Sequence, residues 1–259
     1  MTHTTVHRIL RPLLLAAGLL AIAAPMEAAM AGPLSWLGGE RVQGSGKIVK
    51  QNRELAHFTA LASAVSGNVE IELGNTEGVT IEADDNILPL IETVIENDTL
   101  RIRPARRDVS FNTRNMKIVV HARALRRVSV AGSGSIAADN LRGENLQFDI
   151  GGSGSLDLRN LASESVTVAL GGSGNFKASG NTERLQVSIG GSGEVHAGQL
   201  AARDAVVSIG GSGEATVWAK QSLSLSVSGS GDIGYYGDPK VSKSISGSGS
   251  IKRLGGSPQ

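Results

Sequence analysis

Apolar and polar residues alternate strictly along the second half of the chain, in short stretches that end at the triplet Gly-Ser-Gly. The residue two positions before each triplet is always aliphatic, as in Val130, Ile150 and Leu170. The residue three positions before it is small or polar, as in Ser129 and Asp149. Alternation with a period of two is typical of a β-strand with one buried face. These stretches therefore predict strands that present aliphatic side chains to a core.

The triplets themselves recur at nearly constant spacing, in steps of 18 to 20 residues. They occupy residues 132–134, 152–154, 172–174, 191–193, 211–213, 229–231 and 247–249. An apolar residue also stands two positions after each triplet, so a second strand is expected to begin there. Glycine permits a tight bend with positive φ and leaves room for close backbone stacking. Each repeat then consists of a strand, a bend, a strand and a polar turn, for which Asn160 and Asn181 are candidates.

This organisation predicts an all-β protein built as a parallel β-helix (β-solenoid) with about 18–20 residues per coil. Like residues of successive coils would stack at roughly 4.8 Å, the spacing between paired strands. One coil buries too few side chains to be stable alone, whereas a stack of coils can be. Aromatic residues make up only 3% of the chain, so the core must be aliphatic, which suits thin repeated layers.

The expected domain organisation is a single β-helix domain over residues 44–254. Its first part, residues 44–127, is irregular, and its second part, residues 128–254, carries the regular repeats. A short linker over residues 32–43 precedes the domain, and a tail over residues 255–259 follows it. No composition change indicates a boundary inside the domain.

The irregular part contains several recognisable signals. An isolated copy of Gly-Ser-Gly stands at residues 44–46. The stretch from Ile91 to Ile102 predicts a hairpin that turns at Asn97-Asp98. Residues 103–115 are rich in arginine and predict a long polar loop.

Residues 1–31 have the features of a secretory signal peptide. Arg8 and Arg11 precede an apolar stretch from Leu13 to Ala24, which is too short to span a bilayer, and Ala29-Met30-Ala31 resembles a cleavage site. We therefore expect an exported protein, periplasmic or secreted to the cell surface, without a transmembrane segment in the mature chain. The chain has no cysteine, so its stability must come from packing and backbone pairing.

The charge balance bears on the partners. Without residues 1–31 the chain carries equal numbers of basic and acidic residues. A net charge of zero argues against nucleic acid or an anionic membrane surface as the main partner. A glycan or another envelope protein is the expected partner instead.

Three features together resemble the head GIN domain family of autotransporter adhesins. They are Gly44-Ser45-Gly46-Lys47-Ile48-Val49, the turn and strand Asn97-Asp98-Thr99-Leu100-Arg101-Ile102, and the ladder of Gly-Ser-Gly triplets. The resemblance covers about residues 44–254. It implies a right-handed parallel β-helix in the bacterial cell envelope with an adhesin-like role, and it brings no catalytic residues to carry over.

Three acidic residues are expected to stack on consecutive coils. Glu194, Glu214 and Asp232 directly follow their triplets in three successive repeats. Like charges that stack closely repel one another or attract a cation, so a divalent cation such as calcium is a candidate ligand. No cofactor is otherwise indicated. The five histidines are scattered, and His196 is expected to be a surface residue.

Further along the same strands, Trp218 and Tyr236 are expected to be neighbours in an outward column. An aromatic pair beside carboxylates suits a sugar ring, because aromatic rings contact its CH face and acids bind its hydroxyls. The acids and these two aromatic residues are therefore the candidate ligand-binding set. A second interpretation stays open: the acids form a solvated edge, and Trp218, Tyr235 and Tyr236 cap the end of the stack.

The candidate functions differ in whether they require catalysis. The sequence has no Gly-x-Ser-x-Gly nucleophile elbow and no Walker A motif, and no catalytic residue is indicated. A non-catalytic binding or structural module of the cell envelope is therefore expected. A polysaccharide lyase or hydrolase on a β-helix scaffold is the alternative, because Glu194, Glu214 and Asp232 could supply paired carboxylates.

Overall fold

The computed structural model of the protein describes residues 40–106, 108–113 and 115–258, which belong to one compact unit. The predicted signal peptide, residues 1–31, lies outside them. Nearly all elements are β-strands, and a single short 3-10 helix spans Leu88–Leu90 within the described residues. The strands in chain order are β1 (Glu40–Gln43), β2 (Ile48–Glu54), β3 (Ala60–Ser63), β4 (Asn68–Leu73), β5 (Gly78–Asp84), β6 (Ile91–Glu96), β7 (Thr99–Pro104), β8 (Val109–Asn112), β9 (Lys117–Ala122), β10 (Arg127–Gly132), β11 (Ser135–Asp139), β12 (Arg142–Gly152), β13 (Ser155–Leu170), β14 (Asn175–Ile189), β15 (Glu194–Ile209), β16 (Glu214–Gly229), β17 (Asp232–Tyr236), β18 (Lys240–Gly247) and β19 (Ser250–Gly255).

Strands β10 to β19 form the regular stack and confirm the predicted parallel β-solenoid, which has about six turns. Equivalent residues of successive repeats pair in parallel register. The column before the triplets consists of Val130, Ile150, Leu170, Ile189, Ile209, Val227 and Ile245. The column after them consists of Ile136, Leu156, Phe176, Val195, Ala215, Ile233 and Ile251. Each pairing advances 18 to 20 residues, as the triplet spacing predicts.

The predicted alternation of inward and outward residues is also confirmed. Ile189 is 1% exposed, whereas its neighbour Ser188 is exposed. Both columns are buried through the middle of the stack, where they form one continuous aliphatic core. Burying a large aliphatic side chain contributes roughly 1.5–3 kcal/mol, so stacking several coils is what stabilises the fold.

The bends require glycine because each coil passes close to the backbone of the coil before it. A Cβ on Gly172 would lie 2.2 Å from the carbonyl oxygen of Gly152, a distance that no side chain tolerates. The same bends are joined by backbone hydrogen bonds: the amide of Ser173 donates to the carbonyl of Gly152 at 2.9 Å. The triplet is therefore a stacking motif, with glycine demanded by close approach.

The polar turn that ends the first strand of a coil is only partly as predicted. Asn160 has a φ of 55°, in the left-handed region that Asn tolerates. Asn181, the second predicted turn residue, does not have a positive φ; Gly180 takes that role with φ 129°. The pairing register shifts at these turns, between Leu158 and Leu161 in β13. The repeats therefore differ in length at their turns while they keep their strands aligned.

The irregular part completes the same stack at its N-terminal end, but the spatial order of its strands differs from the chain order. Strands β3 and β4 pair in parallel with β10 and β11 on one side. On their other side they pair in parallel with β7 and β9, which follow them in the sequence. The coil made by β7 and β9 is therefore the first full coil in space.

Antiparallel strands cover that first coil. Strand β9 pairs antiparallel with β5, and β5 pairs antiparallel with β2, while β6 pairs with β7 as a hairpin. The hairpin turns at Asn97 and Asp98, whose φ values are 50° and 56°, as in a type I′ turn. The predicted hairpin at Asn97-Asp98 is thus confirmed.

The predicted long loop over residues 103–115 is wrong in part, because it contains β8. Strand β8 pairs in parallel with β1, which lies at the end of the segment predicted as a linker. Val109 of β8 is only 6% exposed, so a buried aliphatic residue interrupts the arginine-rich stretch and anchors it. Arg107 and Arg114 lie outside the described residues.

The isolated triplet at residues 44–46 has a different role from the others. The amide of Gly46 donates to the carboxylate of Asp84, which is 2% exposed, at 2.6 Å. The hydroxyl of Ser45 donates to Asp85 at 2.6 Å, and the amide of Ser45 donates to the side-chain oxygen of Asn86. This triplet therefore clamps the end of β5 instead of bending a coil. Among the described residues, no helix has the length and hydropathy needed to cross a membrane.

Candidate binding groove

The outer face of the strands that follow the triplets carries the predicted site. The first outward column contains Glu194, Glu214 and Asp232, which are consecutive Cα partners on β15, β16 and β17. The predicted stacking of the three acids is thus observed. All three are exposed.

Two of these acids contact protein donors. The Oε2 atom of Glu194 lies 3.0 Å from Nε2 of His196, two residues along the same strand. Asp232 accepts hydrogen bonds from the hydroxyl of Ser250 at 2.7 Å and from its amide at 2.9 Å. Within the part of the chain that the structure describes, no group of three or more His, Asp or Glu side chains is placed to hold a metal ion.

The two predicted aromatic residues are neighbours but face different surroundings. Trp218 and Tyr236 are Cα partners, as expected. Trp218 is half-buried, and the Nζ atom of Lys220 lies 5.4 Å from the centre of its ring, within reach of a cation–π contact. Tyr235, by contrast, points inward and packs against the core. The capping role considered for the aromatic residues therefore fits Tyr235.

The column that holds Trp218 is not continuous, contrary to the sequence expectation. The register between β15 and β16 shifts after Ala197, so Trp218 partners Ala201 and not Gly198. The ring of Tyr236 occupies the space beside Gly198: a Cβ there would lie 3.3 Å from Cε2 of Tyr236. The predicted aromatic pair is thus divided between two places on the surface.

Tyr236 forms one side of a groove of about 520 Å³. Its floor includes Lys177, His196 and Thr216, which are consecutive Cα partners in the second outward column. Gln199 adds an amide to its lining. Ammonium, imidazole, amide and hydroxyl groups therefore converge beside one phenol ring. Trp218, Glu214 and Asp232 do not line the groove, and Glu194 contributes through its contact with His196.

The groove exists because two outward positions lack side chains. Gly198 leaves room for the ring of Tyr236, as described above. Gly234 leaves room for Leu254, since a Cβ on Gly234 would lie 2.7 Å from Cδ1 of Leu254. The chain after β19 then continues along the groove, where Ser257 and Pro258 form its other side. The tail predicted over residues 255–259 is therefore part of the candidate site as far as Pro258.

Sequence reasoning missed two components of this groove. His196 was expected to be only a surface residue, because the pattern gave no reason to expect a concave surface beside it. The tail was placed outside the domain, because its composition predicts no strand. The signal that could have found the groove is the pair Gly198 and Gly234, which interrupt outward columns without a triplet beside them.

A second, larger groove of about 820 Å³ lies near the N-terminal end of the same face. It is lined by charged pairs: Lys117 bonds to Glu70 at 3.0 Å, and this contact raises the pKa of Lys117. The Oδ1 atom of Asp157 is buried in this region without a hydrogen-bond partner. The groove is rich in ion pairs and carries no aromatic residue in its lining, so it is a weaker candidate for a sugar.

The chain is similar in sequence and fold to known proteins. Residues 57–239 match the family described as "Putative auto-transporter adhesin, head GIN domain". A "putative adhesin" of known structure from Bacteroides fragilis is 28% identical, with a TM-score of 0.76 over 82% of this chain and 100% of its own. A "putative lipid binding protein" from Parabacteroides distasonis is 24% identical, with a TM-score of 0.70 over 83% and 100% of the two chains. A comparison with curated proteins gives no match.

Proposed function

The chain belongs to the head GIN domain family of auto-transporter adhesins, and from this membership and the groove we propose that it is an exported, non-catalytic binding module of the cell envelope that recognises a glycan. The family and the adhesin of similar structure support a binding role without catalysis. That the ligand is a glycan and that the protein is exported are the parts of the proposal that go beyond this support.

The observation that carries the glycan is the half-buried ring of Tyr236 beside polar groups on a concave surface. Sugar rings present an apolar CH face that stacks on aromatic rings, and their hydroxyls need hydrogen-bond partners in fixed positions. Here His196, Gln199 and Thr216 supply imidazole, amide and hydroxyl groups on the floor beside Tyr236. Parallel strands hold the floor rigid, so little conformational entropy is lost on binding.

The contacts of the acids support binding over hydrolysis. Glycoside cleavage uses two carboxylates that face one bond from opposite sides. Glu194 contacts His196, and Asp232 contacts Ser250, while all three acids stand in one column on one side of the groove. None of the three acids lines the groove itself. Their position supports binding over hydrolysis as the role of the groove.

The proposed export is supported by residues 1–31 and by the family's association with auto-transporter adhesins. Cell fractionation of a bacterium that produces the full chain, compared with a chain lacking residues 1–31, tests it. The full chain should be recovered in the periplasm, at the surface or in the medium, shortened at its N-terminus. Recovery of both forms in the cytoplasm would contradict the proposal.

The glycan is tested by a binding screen of the purified protein against cell-envelope sugars and peptidoglycan fragments. Removing the ring with Tyr236→Ala should weaken any binding about two- to twelvefold, since an aromatic stacking contact is worth about 0.5–1.5 kcal/mol. Trp218→Ala is the matched control, because Trp218 is the Cα partner of Tyr236 but lies outside the groove. It should leave sugar binding unchanged.

The two variants separate the possible outcomes. If Trp218→Ala weakens binding and Tyr236→Ala does not, the site lies beside Trp218 and not in the groove. If no sugar binds the wild type, the glycan is wrong and the family role must rest on another ligand. Melting temperatures of both variants show whether a loss of binding merely follows a loss of folding.

A further inference from the structure

The last two strands at the C-terminal end of the solenoid are each paired on one side only. Among the described residues, β18 pairs only with β16, and β19 pairs only with β17. In an earlier coil the carbonyl of Ile189, the equivalent of Ile245, accepts a hydrogen bond from the amide of Gly210 in the next coil at 2.8 Å. Because the amide and carbonyl of one residue face the same side of a parallel strand and alternate residues bond to opposite neighbours, the backbone groups of Val241, Lys243 and Ile245 face away from the stack. The end therefore presents a row of free backbone donors and acceptors.

The side chains at this end have a distinct pattern. Val241, Lys243 and Ile245 continue the inward columns, because they pair with Leu223, Leu225 and Val227 of the preceding coil. Among the residues that the structure describes, no further coil covers them, and Val241 is 40% and Ile245 is 43% exposed. The inward positions of β18 thus read apolar, basic, apolar. An extended segment added to this edge would place its own alternate side chains on these three.

The charge of the last coil is one-sided. Residues 239–258 contain Lys240, Lys243, Lys252 and Arg253 and no acidic residue. Arg253 already donates to the carbonyl of Gly237 at 2.8 Å and lies 3.6 Å from Asp238. Within the described part of the chain, Lys240, Lys243 and Lys252 form no ion pair with an acid. This end therefore favours an acidic partner.

We propose that β18 is a docking edge for an acidic, extended segment of a partner protein, which adds as the next parallel strand. The segment has the pattern apolar–x–acidic–x–apolar. Its apolar residues cover Val241 and Ile245, and its carboxylate pairs with Lys243. Strand addition gives affinity through main-chain hydrogen bonds and specificity through alternate side chains. This surface is separate from the groove and does not depend on the proposed glycan.

A second copy of this chain is a poorer occupant of the edge. In an antiparallel pairing of two β18 strands that sets Val241 opposite Ile245, Lys243 faces Lys243 of the other copy. Like charges directly opposite each other in paired strands are destabilising. The acidic partner removes that conflict, because it replaces the repulsion with an ion pair at the same position.

The test measures fluorescence anisotropy of a labelled peptide, Ser-Val-Ser-Glu-Ser-Ile-Ser-Gly, mixed with the purified protein. This peptide reproduces the sequence of β18 with Ser at the place of Lys240 and Glu at the place of Lys243. It should bind, and its counterpart with Lys in place of Glu should bind about tenfold or more weakly, since cross-strand charge pairs change sign. In the Lys243→Glu variant the preference should invert. Lys240→Glu, the same charge change at an outward position of β18, should not invert it.

Two further peptides test the backbone pairing. N-methylation of the serines flanking Glu removes the amides that would bond to β18, and it should abolish binding. N-methylation of Glu and Ile, whose amides would face away, should leave binding intact. Binding that survives both modifications, or that is equally strong when Val and Ile are replaced by Ser, would show attraction between charges alone and overturn the proposal.

The other occupants give distinct results. The wild type could sediment as a concentration-dependent dimer that the labelled peptide does not dissociate and that Ile245→Asp does dissociate. That result would show that the edge joins two copies, and it would overturn the acidic partner. Equal binding of the Glu and Lys peptides would also overturn the acidic partner. Circular dichroism of Lys243→Glu, an exposed position, ensures that an inverted preference is not caused by misfolding.

Discussion

The two ends of the solenoid face the same physical problem and differ in how they meet it. At the N-terminal end, the antiparallel strands β5 and β6 pair with β9 and β7, so both strands of the first coil have partners beyond them, and the edge passes to the outer strands β2 and β6. At the C-terminal end, β18 and β19 stop with one neighbour each among the described residues. Ile81 in the covered end is fully buried, whereas Ile245 in the open end is 43% exposed.

The difference shows what a repeat can and cannot supply. Adding a coil always creates a new edge, so repetition alone never closes a stack. The N-terminal end covers its first coil because the chain reverses direction and because residues outside the repeat, such as Asp84, are held by hydrogen bonds. The C-terminal end keeps the repeat but places Lys243 in its inward column. A charge in that column opposes uncontrolled strand pairing, and the edge strands of other proteins carry inward-pointing charges for the same reason.

The largest expected effect compares two positions of one column. Ile189 and Ile245 hold equivalent places in their coils, but only Ile189 is covered by further coils. Ile189→Asp would bury an unpaired carboxylate and should lower the free energy of unfolding by more than about 4 kcal/mol. Ile245→Asp should cost less than about 1 kcal/mol, because water reaches the new charge. Urea titration followed by circular dichroism measures both.

Ser188→Asp is the control for this comparison. It introduces the same charge beside Ile189 on the outward face and should change the free energy of unfolding by no more than about 0.5 kcal/mol. If Ser188→Asp and Ile189→Asp destabilise equally, the inward column has been assigned to the wrong residues. If Ile245→Asp is as severe as Ile189→Asp, the open end is covered in solution.

A smaller effect is expected from pH at the covered end. The hydroxyl of Ser45 donates to Asp85, and Lys47 lies 3.4 Å from it; these contacts lower the pKa of Asp85. A carboxyl whose folded pKa is lowered contributes stability above its ordinary value of about 4, and that stability is lost as the pH falls through the lowered pKa. The hydrogen-exchange protection factors of β2 and β5, corrected for the intrinsic exchange rate at each pH, should therefore fall below about pH 4 before those of the middle coils.

Ser45→Ala removes the main cause of the lowered pKa and should make this dependence weaker. Ser188→Ala, which changes an exposed serine of a middle coil, should leave it unaltered. Loss of protection that begins at β18 and not at β2 would show that the open end limits stability in acid. The comparison of the two ends would then have to be reversed for low pH.

The parts of the fold that could be predicted are those encoded in repeated local patterns. The column through Ile189 follows from alternation and triplet spacing, because both recur in every coil. The turn at Asn97-Asp98 follows from two residues that tolerate positive φ in sequence. The stacking of Glu194 on Glu214 could be predicted from the constant spacing of the triplets alone, and the strand register confirms it.

The remainder depends on contacts that no local pattern encodes. The coil of β7 and β9 lies outside that of β3 and β4 although it follows in sequence, because antiparallel β5 and the β6–β7 hairpin reverse the chain. The bulge after Ala197 moves Trp218 away from Gly198. Leu254 returns over Gly234 to form the groove. Each of these features is a contact between segments that lie apart in the sequence. The candidate site depends on two of them, the bulge after Ala197 and the return of Leu254.

The smallest expected effect on the stability of a single molecule, and the sharpest test of the open end, is Lys243→Val. Valine at this position would complete the apolar column that runs through Val207 and Leu225. Because Lys243 is exposed, its replacement should change the free energy of unfolding by less than about 0.5 kcal/mol.

Removing the charge would, however, leave a continuous apolar edge between Val241 and Ile245, which invites strands of other copies to pair. Analytical ultracentrifugation should show the variant associating at concentrations where the wild type remains monomeric, while Lys240→Val, on the outward face of β18, should not associate. Equal association of both variants would mean that surface hydrophobicity, and not the inward charge of the last coil, controls the open end.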